Sequence, residues 1–281
     1  GRYFASLTFV PLFWRTARSR KIDLVVLYGV PTNGWQTVLL AKFLKIPVIF
    51  RAIDIAHLLR ETKFQSLVEL AERYIYRNVD HISAHNEALK NYCVSLGASI
   101  NNVSIDFPSV DLARFKPHPR DKELASSLGI HSGQKVVLFR GTLYRFSGLE
   151  LFIELFADYL RRNSDTCLLI VGSGEAEAVI RKAITKHDLE KQVIMRPFVS
   201  YDELVRHICL ADVSVNTFIP SLVTHCVLPG RVLQSMACGI PVVSTPLQGM
   251  MNYSQGSDTV VYRNLDPSFV EAVVNLLADT T

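Results

Sequence analysis

Short apolar, β-branched runs alternate with longer segments of helical period along the whole chain. The short runs are Leu24 to Tyr28, Val48 to Phe50, Val103 to Phe107, Val136 to Phe139, Leu168 to Val171, Val193 to Met195, Val213 to Val215 and Val242 to Ser244. They read as strands. After Ser147 the period changes, and Leu149, Phe152, Phe156 and Leu160 fall on one helical face. Near the C-terminus Val270, Val273 and Leu277 do the same, with Asp266 as cap and Pro267 in the first turn. Ser200 followed by Glu203 predicts a capping box ahead of Leu204.

Alternation of this kind predicts parallel sheets covered on both faces. Roughly three strands precede the charged stretch Lys116 to Lys135 and roughly five or six follow it. Pro117, Pro119, Gly129 and Gly133 lie in that stretch, and it is the expected domain boundary. The expected division is residues 1–118 and residues 119–281. The second part has the strands of a full Rossmann-like domain, and the first has too few.

With 281 residues, 49% of them apolar, the chain can bury a sizeable core. Its net charge of +4 suits an anionic substrate or an acidic membrane surface. It lacks the dense basic patches of a nucleic-acid binder. The five cysteines form no C-x-x-C pair, which argues against a disulfide framework or zinc site and for a reducing, cytoplasmic setting. No apolar run approaches the roughly 20 residues of a membrane span, and no signal-peptide pattern is seen. The chain starts at Gly1, without an initiator Met, so a fragment is expected.

Several strand-to-helix turns carry candidate chemistry. Arg140 to Gly148 places Gly141, Thr142, Arg145 and Ser147 between a buried strand and an amphipathic helix. Backbone N–H groups and a helix N-terminus there suit a phosphate, and a plain turn is the alternative. Val171-Gly172-Ser173-Gly174 is a similar turn. The third glycine of a dinucleotide fingerprint falls on Glu177, which would repel a pyrophosphate. Leu228 to Val243 reads as a helix ended by Gly239 and followed by a strand. Arg231 and Gln234 share the face opposite Val232, Leu233 and Met236. They point either into a cleft, meeting phosphate and sugar hydroxyls, or to solvent. Asp54 and His57 follow a strand end, where α/β sheets place their sites. They are candidate acid/base or sugar-contact groups, with an ordinary helix cap by Asp54 as the alternative. The motifs D-x-D, H-E-x-x-H and G-x-S-x-G are absent.

Taken together these segments resemble the family 4 (group 1) glycosyltransferases of the GT-B fold. Pro108 to Pro117 is similar to the family's P-x-G-V-D-x-x-x-F-x-P, Gly141 to Gly148 to its glycine loop, and Val171 to Gly174 to V-G-x-G. Ala211-Asp212-Val213 matches A-D-V, and Ser235 to Val243 matches A-M-A-x-G-x-P-V-V. The resemblance implies two Rossmann-like domains with parallel sheets facing across a cleft. The C-terminal one takes a nucleotide-diphosphate sugar and the N-terminal one the acceptor. The implied transfer retains anomeric configuration and uses no metal and no cofactor beyond the sugar nucleotide.

Carried over by position, Gly141, Thr142 and Ser147 line the diphosphate loop, and Gly172 is a further donor-binding residue. Arg196 to Val199, with Phe198, lie near the base, and Gln234 meets the ribose. Three departures stand out. The family's E-x7-E falls on Cys226 and Gln234; its basic pair falls on Thr142 and Ser147, with Arg145 and Arg231 as replacements; its histidine falls on Ile53, beside a matching Asp54, with His57 as the substitute. The family's first strands are expected ahead of Gly1 and its last crossover helix after Thr281, so the N-terminal domain is expected to be incomplete. An open sheet edge, exposed apolar surface and poor solubility follow.

The leading expectation is transfer of a sugar to a glycan, lipid-linked or other hydroxyl acceptor, as in cell-envelope polysaccharide synthesis. The alternative is a catalytically silent module of the same fold that binds a nucleotide sugar or a partner protein. An isomerase or phosphorylase on the same fold is a third reading, and no pyridoxal-binding lysine is identified. Tyr3 to Lys21 mixes Phe4, Leu7, Phe9, Leu12, Phe13 and Trp14 with Arg15, Arg18, Arg20 and Lys21. It reads either as an interfacial helix giving peripheral contact with the inner membrane face, or as a core helix with a basic last turn whose pattern Pro11 interrupts.

Overall fold

The computed structural model describes residues 2–30, 33–59, 63–255 and 258–279, with the side chains of residues 2–7 outside the described ones. Phe4 and Leu7 are among these, and Thr281 also lies outside. Among the described residues ten strands form two parallel sheets. The first holds β1 (Val25–Leu27), β2 (Val48–Ala52), β3 (His81–Ala84) and β4 (Val103–Ile105), in that order. The second holds β5 (Lys135–Arg140), β6 (Thr166–Val171), β7 (Val193–Arg196), β8 (Val213–Asn216), β9 (Val242–Ser244) and β10 (Val260–Tyr262) in the order β10-β9-β8-β5-β6-β7. Both α/β character and parallel pairing agree with the alternation in the sequence.

Among the described residues the first sheet has four strands where three are expected, and the second has six, within the expected five or six. The unread strand before the boundary is β3, whose His81-Ile82-Ser83-Ala84 has only one long apolar side chain. The one near the C-terminus is β10, a three-residue edge strand.

The chain divides into two units. Unit 1 comprises Gly1–Pro108, Ser221–Leu228 and Gln248–Tyr253; unit 2 comprises Ser109–Pro220, Pro229–Leu247 and Ser254–Thr281. The expected cut after residue 118 is therefore corrected in two ways. The first crossing comes ten residues earlier, and two later segments return to unit 1. Asn86 explains the return. It is fully buried, its Oδ1 caps the helix Glu87–Ser95 at the Leu89 N–H, and its Nδ2 donates to the Cys226 carbonyl at 2.9 Å. No local pattern in the sequence announces a bond between residues 140 positions apart.

In unit 1, successive strands step one way across the sheet. Right-handed crossovers then put the helices Gly34–Leu44, Gln65–Asn78 and Glu87–Ser95 on one face. Val48, Phe50, Ala52, Ile82 and Ala84 meet them. Alternation sends Arg51, His81, Ser83 and Ser104 to the other face. There Ser83 and Ser104 donate to Asp106 Oδ2 at 2.6 and 2.8 Å, and Arg51 also binds Ser83. Val26, Tyr28, Leu39 and Phe43 are exposed in this unit.

The helix Arg2–Ser19 continues through Pro11, so the proline does not interrupt it. Trp14 packs on Phe43 at 5.4 Å and Arg18 lies over the Trp14 ring, while Leu12 is exposed. No helix among the described residues is long and apolar enough to cross a membrane.

Unit 2 is the full Rossmann-like sheet. The helix Leu149–Arg162 buries Leu149, Phe152, Phe156 and Leu160 as its period predicts. The capping box at Ser200 and Glu203 is formed, and Asp266 caps the helix Pro267–Ala278. That last helix turns slightly from the expected face, burying Phe269 fully and Val270 partly. In a sheet of this order the strand sequence reverses between β5 and β8, the place where open α/β sheets bind ligands.

Candidate functional site

Arg140 ends β5 after the apolar Val136 to Phe139, and Gly141 follows with φ +117. A Cβ at Gly141 would lie 2.8 Å from Arg231 Nη2, so only glycine admits the arginine so close. A Cβ at Gly172 would fall 1.9 Å from the Gly141 carbonyl oxygen. The two strand-end loops are thus pressed together. Gly141 N–H donates to Val171 O at 2.8 Å, and Leu143 N–H donates to Ser173 O at 3.1 Å.

Arg231, from the first turn of the helix Gly230–Ala237, enters this switch point. Its guanidinium lies between the rings of Phe139, on β5, and Phe218, just after β8, at 4.7 and 4.5 Å. Phe146 packs edge-on against Phe218 at 5.2 Å, and Tyr144 stacks on Phe146 at 4.7 Å. Stacking of a planar cation between two rings is worth about 0.5–2 kcal/mol per ring, more where water is excluded.

Polarity at this point is unbalanced. Arg140 Nη2 donates to the Arg231 carbonyl at 2.9 Å and to Gln234 Oε1 at 2.6 Å. Arg231 Nη1 and Arg140 Nε are buried without a hydrogen-bond partner. No carboxylate among the described residues pairs with either arginine. Burial, and then the Arg140 charge, push the Arg231 pKa down to about 9; burial takes Arg140 down to about 10. Arg140 is buried and Arg231 half-buried, and two adjacent cations with unfilled donors suit an anion.

Of the two readings of this helix face, the solvated one does not hold for Arg231, which lies between aromatic rings. Gln234 faces Arg140, which already occupies its carbonyl oxygen. Ser147 is buried, and its carbonyl accepts from Thr217 Oγ1 at 2.6 Å. Thr142 is half-buried, and Arg145, Arg196 and Phe198 are exposed. Of the residues carried over for the donor, Gly141, Gly172, Arg231 and Gln234 come together within unit 2. Arg145 has its backbone N–H 3.4 Å from Glu175 Oε1, and its side chain is exposed.

In unit 1, Asp54 and His57 lie in turns after β2. Asp54 is no helix cap, which corrects that alternative; burial and the nearby Glu72 raise its pKa. His57 Nδ1 lies 2.5 Å from Glu72 Oε2 and 3.3 Å from the Tyr92 hydroxyl. Sequence reasoning missed Glu72. Val68, Glu72, Ile75, Tyr76 and Val79 recur at helical spacing, and a carboxylate inside an apolar stripe was the available signal. Cys226, at the place of the family's first motif glutamate, is buried in the unit 1 core, and burial raises its pKa to about 11.

Two parts of the chain match two family models. Residues 134–279 match the family model "Glycosyl transferases group 1", and residues 1–105 match "Glycosyl transferase 4-like domain". A D-inositol 3-phosphate glycosyltransferase of Kineococcus radiotolerans is 30% identical over 192 residues, 64% of this chain and 43% of that protein. An alpha-monoglucosyldiacylglycerol synthase of Streptococcus pneumoniae is 22% identical over 81% of this chain and 53% of its own length. The chain thus spans about half the length of such relatives. Among solved structures, Anabaena HepE in complex with UDP and glucose superposes with a TM-score of 0.77 and 17% identity, over 96% of this chain and 72% of that one. At that identity the likeness shows the GT-B fold.

Proposed function

Because the chain belongs to the group 1 glycosyltransferases, we propose that unit 2 binds the diphosphate of a nucleotide sugar with Arg231 as its principal cation. The observation that carries this is the buried, partnerless Nη1 of Arg231 at the reversal of the strand order. A diphosphate oxygen there would fill that donor and neutralise part of a charge whose isolation costs several kcal/mol. The position compensates for Thr142 and Ser147, which stand where relatives of this family carry basic residues.

The reaction proposed is transfer of the sugar to a hydroxyl with retention of configuration. The acceptor oxygen bonds to the anomeric carbon on the face from which the diphosphate leaves, the bond to the diphosphate breaks with its electron pair staying on the diphosphate, and the acceptor's proton passes to that diphosphate. Asp54 and His57 are the proposed groups for the acceptor hydroxyl. The names of the two relatives above favour a polyol phosphate or a glycolipid as acceptor class. No cofactor beyond the sugar nucleotide is proposed. A second reading, a silent module that holds the nucleotide sugar without turnover, is favoured by Cys226, since a buried thiol cannot supply a carboxylate's hydrogen bonds.

Calorimetric titration with UDP, GDP and ADP and their sugar conjugates tests the donor site. Selective micromolar binding to one nucleotide, weakened at least about tenfold in Arg231→Ala, is the expected result. Binding unchanged in that variant would remove Arg231 from the site. Tight binding without nucleotide release on adding acceptors would favour the silent module.

A further inference from the structure

All five cysteines are buried free thiols, and two of them meet inside unit 2. Cys209 closes the helix Tyr201–Ile208, and Cys238 closes the helix Gly230–Ala237. Both belong to the apolar cluster around Val136, Leu138 and Leu169, and their thiols are hydrogen-bonded to each other. The Cys209 thiol also donates to the Lys116 carbonyl at 3.9 Å, and its sulfur accepts the His118 N–H.

Two small hydrophobes in a core explain burial, and no more than that. Cys209 has in addition a way out, because it lines a surface cavity of about 450 Å³ with Arg114, His118, Asp121, Asp202 and Arg206. The two acids there are held by arginines, Asp202 by Arg114 and Asp121 by Arg206 at 2.7 Å. A molecule the size of hydrogen peroxide fits such a space. Donation from Cys238 lowers the Cys209 pKa to about 7, with burial opposing and the His118 N–H assisting. Cys238 is raised by the same bond and then by burial. One sulfur of the pair is thus held ready as the reactive thiolate, beside a thiol. Burial takes Cys93, Cys167 and Cys226 the other way, to about 12, 11 and 11.

The pair also adjoins the anion site. Cys238 lies near enough to Arg140 for each to bias the charge of the other. Arg140 is bound to the Arg231 carbonyl and to Gln234, both on the eight-residue helix that Cys238 closes.

We propose that Cys209 and Cys238 are a peroxide-oxidisable thiol pair whose closure to a disulfide weakens anion binding at Arg231. The Cys209 thiolate attacks one oxygen of hydrogen peroxide. The S–O bond forms, the O–O bond breaks, and the leaving hydroxide takes up the proton that the thiol released. The Cys238 sulfur then attacks the sulfenic sulfur, and the hydroxyl leaves with the Cys238 proton as a second water. Both sulfurs are oxidised, the peroxide is reduced, and a dithiol reverses the bond by exchange. The new bond draws the end of the helix Gly230–Ala237 toward that of Tyr201–Ile208, and so short a helix moves as one piece. Arg231, seated between rings at 4.7 and 4.5 Å, loses its fit when the helix shifts. The disulfide stands apart from the transferase reading; its effect on nucleotide rests on that reading.

The test treats this chain with hydrogen peroxide, counts thiols and maps the peptides by mass spectrometry. Two of the five thiols are expected to be lost, with Cys209 joined to Cys238 and both recovered by dithiothreitol. Five intact thiols, sulfinic acid at Cys209 without a disulfide, or a bond between the neighbouring Cys93 and Cys226 of unit 1 overturns the pair. Calorimetry with UDP, GDP and ADP then compares the reduced and the mapped oxidised protein. Affinity is expected to fall at least about fivefold on oxidation and to return on reduction. Cys209→Ser should bind as the reduced wild type does and ignore peroxide; the wild-type comparison decides even if that variant does not fold. An affinity that the disulfide leaves within about twofold overturns the control of the anion site. If the reduced chain binds none of the three nucleotides, the donor reading falls, while the peptide map still decides the thiol pair.

Discussion

Arg231 does something a lysine cannot. Its flat guanidinium fits between Phe139 and Phe218 while holding a free N–H at the strand-order reversal. Arg231→Lys keeps the charge and loses the plane. Nucleotide affinity is expected to fall at least about tenfold by calorimetry, close to the effect of alanine; an affinity within about twofold of wild type would mean that charge alone suffices. The residue itself was legible, since the helix start at Pro229-Gly230 and the match around Ser235 to Val243 mark where it sits. Its surroundings were not. Helical period separates Arg231 and Gln234 from Val232 and Leu233, but it cannot say that the opposite side meets Phe139 and Phe218 instead of water. Glu72 was hidden for a related reason: its partner His57 is 15 positions away, so only tertiary packing shows why a charge stands in an apolar stripe.

At the scale of elements, the loops after β5 and β6 act as one piece. Gly172→Ala would place a methyl 1.9 Å from the Gly141 carbonyl oxygen, backbone against backbone, where no side chain can swing aside. Gly148, at φ +65, is held in the same way, with a Cβ 2.1 Å from the Thr217 carbonyl oxygen. Denaturant unfolding of Gly172→Ala is expected to show a loss of at least about 1–3 kcal/mol. The Arg231 pocket should loosen with it, since Gly141 carries both contacts; a variant as stable as wild type would show that the loops are free to part. Most elements were readable because long strands and strong helices keep their period. The elements missed, β3 and β10, are short, and one of them is half polar. The dinucleotide-like G-x-G is a close-packing device, as the clash of Glu177 with a phosphate role suggested.

For the whole molecule, pH acts partly through His85. Burial, then the charge of Arg51, lower its pKa to about 4. Between that value and the ordinary pKa of about 6.5 the unfolded chain binds a proton that the folded one refuses. Stability therefore rises with pH across this window and falls as the solution is acidified through it. Asp106, lowered by Ser83 and Ser104, adds in the same direction at lower pH. Replacing His85 by Gln should flatten the stability profile between about pH 6.5 and pH 4 in stepwise urea titrations; an unchanged slope would place the dependence elsewhere. The division into units was only half legible: proline, glycine and charge mark a connector, yet the bond from Asn86 to Cys226 leaves no trace in any local pattern.

That bond also sets an order of events during synthesis. A ribosome releases Pro108 long before Tyr253, the last residue that unit 1 requires. At 5–20 residues per second the interval is about 7–30 s. Through it the nascent unit lacks Cys226 in its core and a partner for the buried Asn86 amide. Completion of the first part of the chain thus waits on translation of the second, and the interval is one in which a chaperone has something to hold.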